Sequence, residues 1–201
     1  MIDIIEHYDN LIEEGNDPFR DPEPLREYMN KWDGDLFIEK MNLDKTKTVL
    51  EIGVGTGRLA IKVAPLCKSF LGIDISPKTI ERAHKNLSPF DNIELCCDEF
   101  LTHRFSEKFD IIYSSLTFMH IEAKQEAICK VSTLLQDDGV FVLSLDKSQS
   151  RYIDTGTRKI KVYPDSLSNI KCCLANAKLF VADEFETEFA NIIVCKKASL
   201  V

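Results

Sequence analysis

Apolar positions recur at two different periods along this chain, and the change of period divides it. In the first 40 or so residues the spacing is helical. Ile4, Ile5, Tyr8, Leu11 and Ile12 fall on one stripe and predict a helix over 2–14, which Gly15 and Asn16 stop. Leu25, Tyr28, Met29 and Trp32 predict a second short helix with Pro24 in its first turn, and Leu36, Phe37 and Met41 a third that leads into Asn42. From residue 47 onward short β-rich runs alternate with helical ones. Strands are predicted at 48–52, 69–74, 92–96, 109–113 and 139–145, the last apolar enough for a buried central position. Helices are predicted at 59–66, from Pro77 with Ser76 as its cap, at 121–135, and from 165 or 166 to 177. Segments 179–185 and 190–196 lie too close together for a parallel crossover, so they must pair as antiparallel neighbours. The expected architecture is α/β in a single domain. A doubly wound, mostly parallel seven-stranded sheet ends in a C-terminal antiparallel hairpin; a helical cap spans 1–42 and the core 43–201.

Charge narrows the possible partners. Thirty-three Asp+Glu against 25 Lys+Arg leave a net charge of −8, and an acidic surface repels phosphate backbones, so no nucleic-acid partner is expected. The nearest basic patch is Arg158-Lys159-Ile160-Lys161. No apolar run approaches the roughly 18 residues of a membrane span, so no membrane partner is expected either. The first residues, Met1 to Glu6, lack the basic flank and long apolar stretch of a signal peptide, which predicts a cytoplasmic location. Seven cysteines with no Cys-x-x-Cys pair read as small buried hydrophobes in a reducing compartment, and no metal is expected.

Chemistry concentrates at Glu51-Ile52-Gly53-Val54-Gly55-Thr56-Gly57, where a strand runs into glycines at every second position and then into a helix. Glycines there permit a tight turn and a close ligand approach, and a helix start offers unpaired N–H groups to an anionic group. The spacing is not Gly-x-Gly-x-x-Gly, and Glu51 at the strand's carboxyl end would repel a pyrophosphate. It would accept hydrogen bonds from an ammonium group instead. Asp74 ends the next strand and can bind both hydroxyls of a ribose. Ile75 can cover one face of an adenine. Asp98 ends the third strand and can accept from the adenine amine, with the N–H of Glu99 or Phe100 available to a ring nitrogen and Phe100 as an apolar wall.

These motifs, with the Phe109-Asp110-Ile111-Ile112 strand, His120 after it and the closing hairpin, make the chain resemble the class I S-adenosylmethionine-dependent methyltransferases from Val49 to about Lys196. The resemblance implies that Glu51, Gly53, Gly55 and Gly57 hold the methionine end of S-adenosylmethionine. It implies Asp74 on the ribose, Ile75, Asp98, Glu99 and Phe100 around the adenine, and Ser114 touching the methionine moiety through its backbone. A sulfonium methyl is already electrophilic, so catalysis needs positioning and a dry pocket, plus a base where the acceptor carries a proton. His120 is the candidate base, with a packing residue as the alternative. Tyr8 is the second candidate, folding over the cofactor from the first helix. Arg58 could reach a cofactor carboxylate or the substrate, with a solvated helix residue as the default reading; His84 and His103 are read as surface residues and Trp32 as core. Arg151, Tyr152, Arg158 and Lys161 border the site in such enzymes. The expected activity is methyl transfer to a small-molecule acceptor by a monomer or homodimer. The alternatives are a non-catalytic binder of S-adenosylmethionine or S-adenosylhomocysteine, and a methyltransferase acting on a protein.

Overall fold

The computed structural model describes residues 2–197. Three helices come first: α1 (Ile4–Glu13), α2 (Glu23–Met29) and α3 (Gly34–Glu39). Asp3 caps α1 by accepting from the Ile5 N–H at 2.9 Å. Then follow β1 (Thr48–Ile52), α4 (Ala60–Val63), β2 (Ser69–Asp74), α5 (Pro77–Asn86), β3 (Ile93–Cys97) and β4 (Phe109–Ser114). The chain continues through α6 (Lys124–Leu134), β5 (Leu135–Asp146), β6 (Tyr152–Asp154), β7 (Lys159–Lys161), α7 (Leu167–Asn176), β8 (Leu179–Glu186) and β9 (Ala190–Lys197).

Seven strands form one sheet in the order β3-β2-β1-β4-β5-β9-β8. The first five are parallel, and β9 runs antiparallel to both β5 and β8. The middle one of the five parallel strands is β1, whose Val49, Leu50 and Ile52 are fully buried. Each such side chain contributes roughly 1.5–3 kcal/mol on burial. One face of the sheet packs α6 and α7 through Ile128, Val131, Ile170 and Leu174; the other packs α3, α4 and α5 through Phe37, Val63 and Ile80. Sequence order reverses between β1 and β4, so a crevice opens at the carboxyl ends of those strands, where open α/β sheets take ligands.

Three expectations need correction. The helix expected over 59–66 is a four-residue α-helix followed by a tight turn over Ala64–Leu66. Pro65 lacks an N–H and cannot continue an α-helix. So short a helix adds little dipole to the glycine loop. Residues 147–163, for which no element was predicted, contain the β6–β7 hairpin, which is tied to the segment just before α1 by the Ile2 N–H donating to the Lys159 carbonyl at 3.2 Å. The cysteines are all free, but only Cys67 and Cys195 are buried; Cys97, Cys129 and Cys172 lie on outward positions. Among the described residues no helix is long and apolar enough to cross a membrane.

Candidate functional site

A cavity of about 640 Å³ lies at the carboxyl ends of β1, β2, β3 and β4, beneath α1 and α2. That is within the range of roughly 300–1,000 Å³ usual for small-molecule and cofactor sites.

The glycine loop shapes its floor, and its three glycines do different things. Gly53, at φ 80°, has no room for a side chain, because a Cβ would sit 1.9 Å from Thr117 Oγ1. Gly57, at φ 99°, faces Leu87 in the core, does not line the cavity, and is a packing glycine. Gly55, at φ 56°, has nothing within 4 Å and turns its bare backbone to the cavity. Of the three glycines, Gly53 and Gly55 line the cavity and Gly57 does not.

Glu51 lines the cavity but is only 3% exposed, and Tyr113 Oη donates to its Oε2 at 2.8 Å. Burial pushes its carboxyl up to about 8, against the opposing pull of the Tyr113 hydrogen bond and the Arg58 charge. Asp74 is held by both oxygens: the Gly55 N–H donates to Oδ2 and the Ser76 N–H to Oδ1, each at 3.0 Å. Burial raises its pKa, partly offset by those backbone donors. Each oxygen keeps a lone pair for a further donor.

Asp98 is exposed at the rim, and its Oδ1 accepts from the Glu99 N–H at 2.8 Å. Of the two backbone donors considered for an adenine ring nitrogen, Glu99's is therefore already engaged. His103, expected as a free surface residue, is half-buried with Nδ1 2.9 Å from Asp98 Oδ2, and this contact holds the Asp98 carboxyl below its usual range. The same nitrogen lies 3.7 Å from Cys96 Sγ. Ile75, Glu99 and the buried Phe100 line the cavity beside Asp98.

Ser114 ends β4. It is fully buried, its Oγ donates to the Ile52 carbonyl at 2.8 Å, and it does not line the cavity. The wall after β4 is formed by Ser115, Leu116 and Thr117, with Leu116 in the left-handed region at φ 59°.

Tyr8 and His120, 112 residues apart, meet across the cavity, with Tyr8 Oη 2.8 Å from His120 Nε2 and the rings edge to face. Burial, with the charges of His7 and Lys124, lowers the His120 pKa to about 4. Its Nδ1 is buried without a hydrogen-bond partner. Burial raises the Tyr8 pKa well above its ordinary value, so both groups are neutral near pH 7.

Arg58 is a correction. Rather than extending into solvent, its side chain is 15% exposed, lines the cavity and grips the buried Asp33. Nη1 donates to Oδ1 at 3.1 Å and Nη2 to Oδ2. Asp33 and Tyr113 went unnoticed in the sequence because each meets its partner across a gap of 25 or 62 positions. Tyr163 also reaches the cavity, its N–H donating to the Met119 carbonyl at 2.7 Å. Arg151, Tyr152, Arg158 and Lys161 do not line it. Trp32 packs with the core and donates from Nε1 to Asp146 Oδ2 at 3.2 Å, and His84 is exposed, both as expected.

Comparison with known proteins places the chain in a family. The family described as methyltransferase domain matches residues 43–191. The chain is 34% identical over 122 residues to an uncharacterized methyltransferase of Anoxybacillus flavithermus, covering 59% of this chain and 56% of that one. It is 27% identical over 150 residues to malonyl-acyl-carrier-protein O-methyltransferase 1 of Ilyobacter polytropus, covering 73% and 52%. Shorter matches extend to ribosomal RNA small subunit methyltransferases. The chain spans about half the length of the curated relatives it matches. Its fold is similar, at a TM-score of 0.72 and 17% identity, to the crystal structure of an S-adenosylmethionine-dependent methyltransferase from Clostridium acetobutylicum, covering 96% and 97% of the two chains.

Proposed function

Because the chain belongs to the methyltransferase domain family, we propose that it transfers a methyl group from S-adenosylmethionine to a small-molecule acceptor. One juxtaposition carries the reading. Carboxylates at the ends of three adjacent strands, Glu51, Asp74 and Asp98, line one cavity that the Tyr8–His120 pair closes from above. The donor set fits the cofactor. Glu51 suits the ammonium group, the two oxygens of Asp74 suit the ribose hydroxyls, and Asp98 suits the adenine amine between the apolar Ile75 and Phe100. Bound there, the sulfonium supplies an electrophilic methyl group. The chain's own tasks are to orient both ligands, exclude water and remove a proton.

The proton falls to His120. Its imidazole is neutral near pH 7, and Nε2 is the nitrogen that faces Tyr8 in the cavity. Tyr8 Oη aligns that nitrogen and closes the site when α1 is docked. A small acceptor suits a cavity of about 640 Å³ that must also take the cofactor, and it suits a chain of net charge −8 better than a polynucleotide does.

Methyl-labelled S-adenosylmethionine, supplied with pools of small metabolites and separately with protein and RNA, tests this. Labelled small-molecule product is the expected outcome. Tight binding of S-adenosylhomocysteine without transfer to any acceptor turns the reading towards a non-catalytic binder. His120→Ala should lower kcat roughly 100-fold or more while leaving cofactor affinity intact. Unchanged kcat at saturating substrates returns His120 to a packing role.

A further inference from the structure

Three side chains of different chemistry converge at the carboxyl end of β3, and the proposed reaction uses only one of them. Cys96 lies in the strand, Asp98 follows it, and His103 returns to both. Their ligand atoms all lie within 4.8 Å of one another, the one such group of His, Cys, Asp or Glu among the described residues. His103 Nδ1 is 2.9 Å from Asp98 Oδ2 and 3.7 Å from Cys96 Sγ. The backbone imposes this arrangement. The Thr102 and His103 N–H groups donate to the Glu99 carbonyl at 3.1 and 2.9 Å and close a turn. Lys130 Nζ pins that turn to α6 by donating to the Leu101 and His103 carbonyls at 2.9 and 2.6 Å. The Phe105 ring meets the imidazole edge to face at 4.5 Å.

A hydrogen bond between Asp98 and His103 explains two of the three groups and leaves the thiol without a purpose. A tetrahedral ion explains all three. With metal–ligand bonds of about 2.0–2.3 Å, neighbouring ligand atoms stand roughly 3.4–3.5 Å apart, and the two printed separations lie on either side of that value. Cys96 and His103 are half-buried and Asp98 is exposed, so an ion can enter. Sulfur and nitrogen donors disfavour Mg²⁺ and Ca²⁺, which take oxygen ligands, and suit Zn²⁺. A thiolate and a carboxylate together match its charge, and a water completes the fourth position. Cysteine spacing alone gave no hint of a metal, because this set has one sulfur and takes its other ligands from Asp98 and His103.

We propose that Cys96, Asp98 and His103 form a Zn²⁺ site at the rim of the cavity. On binding, the thiol gives its proton to solvent, and the imidazole carries its own proton on Nε2. Bonds from Sγ, Nδ1 and Oδ2 to the ion replace the hydrogen bond between Asp98 and His103. Asp98 lines the cavity and the other two ligands do not. One carboxylate therefore serves two ligands, so Zn²⁺ and the adenine end of the cofactor each weaken the other's binding by the same factor. Only this coupling rests on S-adenosylmethionine being the cofactor; the metal site does not.

Calorimetric titration of the reduced, metal-free full chain with Zn²⁺ should show one saturable ion per chain. Co²⁺ in its place should give a thiolate-to-cobalt charge-transfer band. Cys96→Ser should abolish the band and weaken Zn²⁺ binding at least about 100-fold, since loss of a mere supporting contact already costs roughly 10- to 100-fold. His103→Ala should weaken Zn²⁺ binding to a similar degree, so either variant decides where the other fails to fold. Cys172→Ala, which removes an exposed thiol on α7, should change neither readout. Absence of saturable Zn²⁺ binding by wild-type protein overturns the site, as does unchanged Zn²⁺ affinity in folded Cys96→Ser. Saturating Zn²⁺ should weaken S-adenosylhomocysteine binding on the order of tenfold in wild-type protein and leave it unchanged in Cys96→Ser. Equal affinity with and without bound Zn²⁺ overturns the shared carboxylate. Failure of the metal-free chain to bind S-adenosylhomocysteine overturns the cofactor reading and leaves the Zn²⁺ site standing.

Discussion

Glu51 shows how one buried carboxyl can report on ligand binding. With its pKa raised to about 8, it is mostly protonated in the empty site at pH 7. A ligand ammonium requires the ionised form. Binding at pH 7 should therefore release close to one proton, and affinity should rise up to about tenfold per pH unit until pH approaches 8. Titrations of S-adenosylhomocysteine in buffers of different ionisation enthalpy measure this directly. Proton uptake, or no exchange at pH 7, contradicts the assignment of Glu51 to the ammonium group. The sign for folding is opposite. A carboxyl whose folded pKa lies above its unfolded value contributes stability below the unfolded pKa, and that contribution is lost as pH rises through about 8. Gly53 gives a second test at this scale. Gly53→Ala meets Thr117 at 1.9 Å and a φ of 80°, so it should destabilise by about 2 kcal/mol or more. Gly55→Ala has open space and should cost only the φ penalty, roughly 1–2 kcal/mol. Denaturant titrations that rank Gly55→Ala as the worse of the two would show the loop to be built differently. Glu51, Asp74 and Asp98 were legible in the sequence because each ends a strand at fixed spacing from the glycines. Tyr113, Asp33 and Ser115 were not, because a hydrogen bond between distant positions leaves no periodic trace.

Among the elements, those with a clear apolar period were the ones the sequence revealed. Strands β1 and β4 and the second half of β5 are buried runs, β2 is buried at alternate stretches, and α1 and α5 have one-sided stripes with Asp3 and Ser76 as side-chain caps. The β6–β7 hairpin has only three residues per strand, mostly exposed, so alternation had too few positions to register. How the cap attaches was also invisible, because it depends on polar contacts. Asp9 accepts from Ser76 Oγ at 2.7 Å and from the Lys78 N–H at 3.1 Å, which ties α1 to the start of α5. Asp17, 6% exposed, accepts from Asn86 Nδ2 at 3.1 Å and from Arg82 Nη1 at 3.1 Å, which ties the α1–α2 connection to the end of α5. Truncation at Asp17 leaves the Asn86 amide buried with fewer partners and should cost about 2 kcal/mol. If α1 and α2 are the cover of the cofactor, Asp17→Ala should also weaken S-adenosylhomocysteine binding although it does not line the main cavity. Lowered stability with fully retained affinity would mean that the cap does not contribute to holding the cofactor.

For the whole molecule the open matter is the acceptor, and charge placement bears on it more than net charge does. An acidic protein can still bind RNA through one concentrated basic face, and some matched relatives are named as ribosomal RNA methyltransferases. The segment that promised such a face is Arg158-Lys159-Ile160-Lys161, on and beside β7. Folding spends those cations internally. Arg158 pairs with Glu14 of the cap, Lys159 lies 3.8 Å from Asp154 across the hairpin, and Lys161 sits 4.5 Å from the centre of the Tyr163 ring. Some other exposed cations are matched in the same way, as in Lys78 with Glu13, Lys85 with Glu81 and Lys171 with Glu184. Cations already paired release few counterions on meeting a phosphate backbone, so binding through the β7 segment should be weak and nearly independent of salt. Fluorescence anisotropy with a structured RNA hairpin should therefore show no saturable binding at 150 mM salt up to roughly 100 μM protein, the weak end of non-specific affinity. A micromolar Kd that weakens steeply between about 50 and 200 mM salt would mean that several cations leave their partners for phosphate. The small-molecule reading would then give way to a nucleic-acid one, with the β6–β7 hairpin beside α1 as the first surface to mutate.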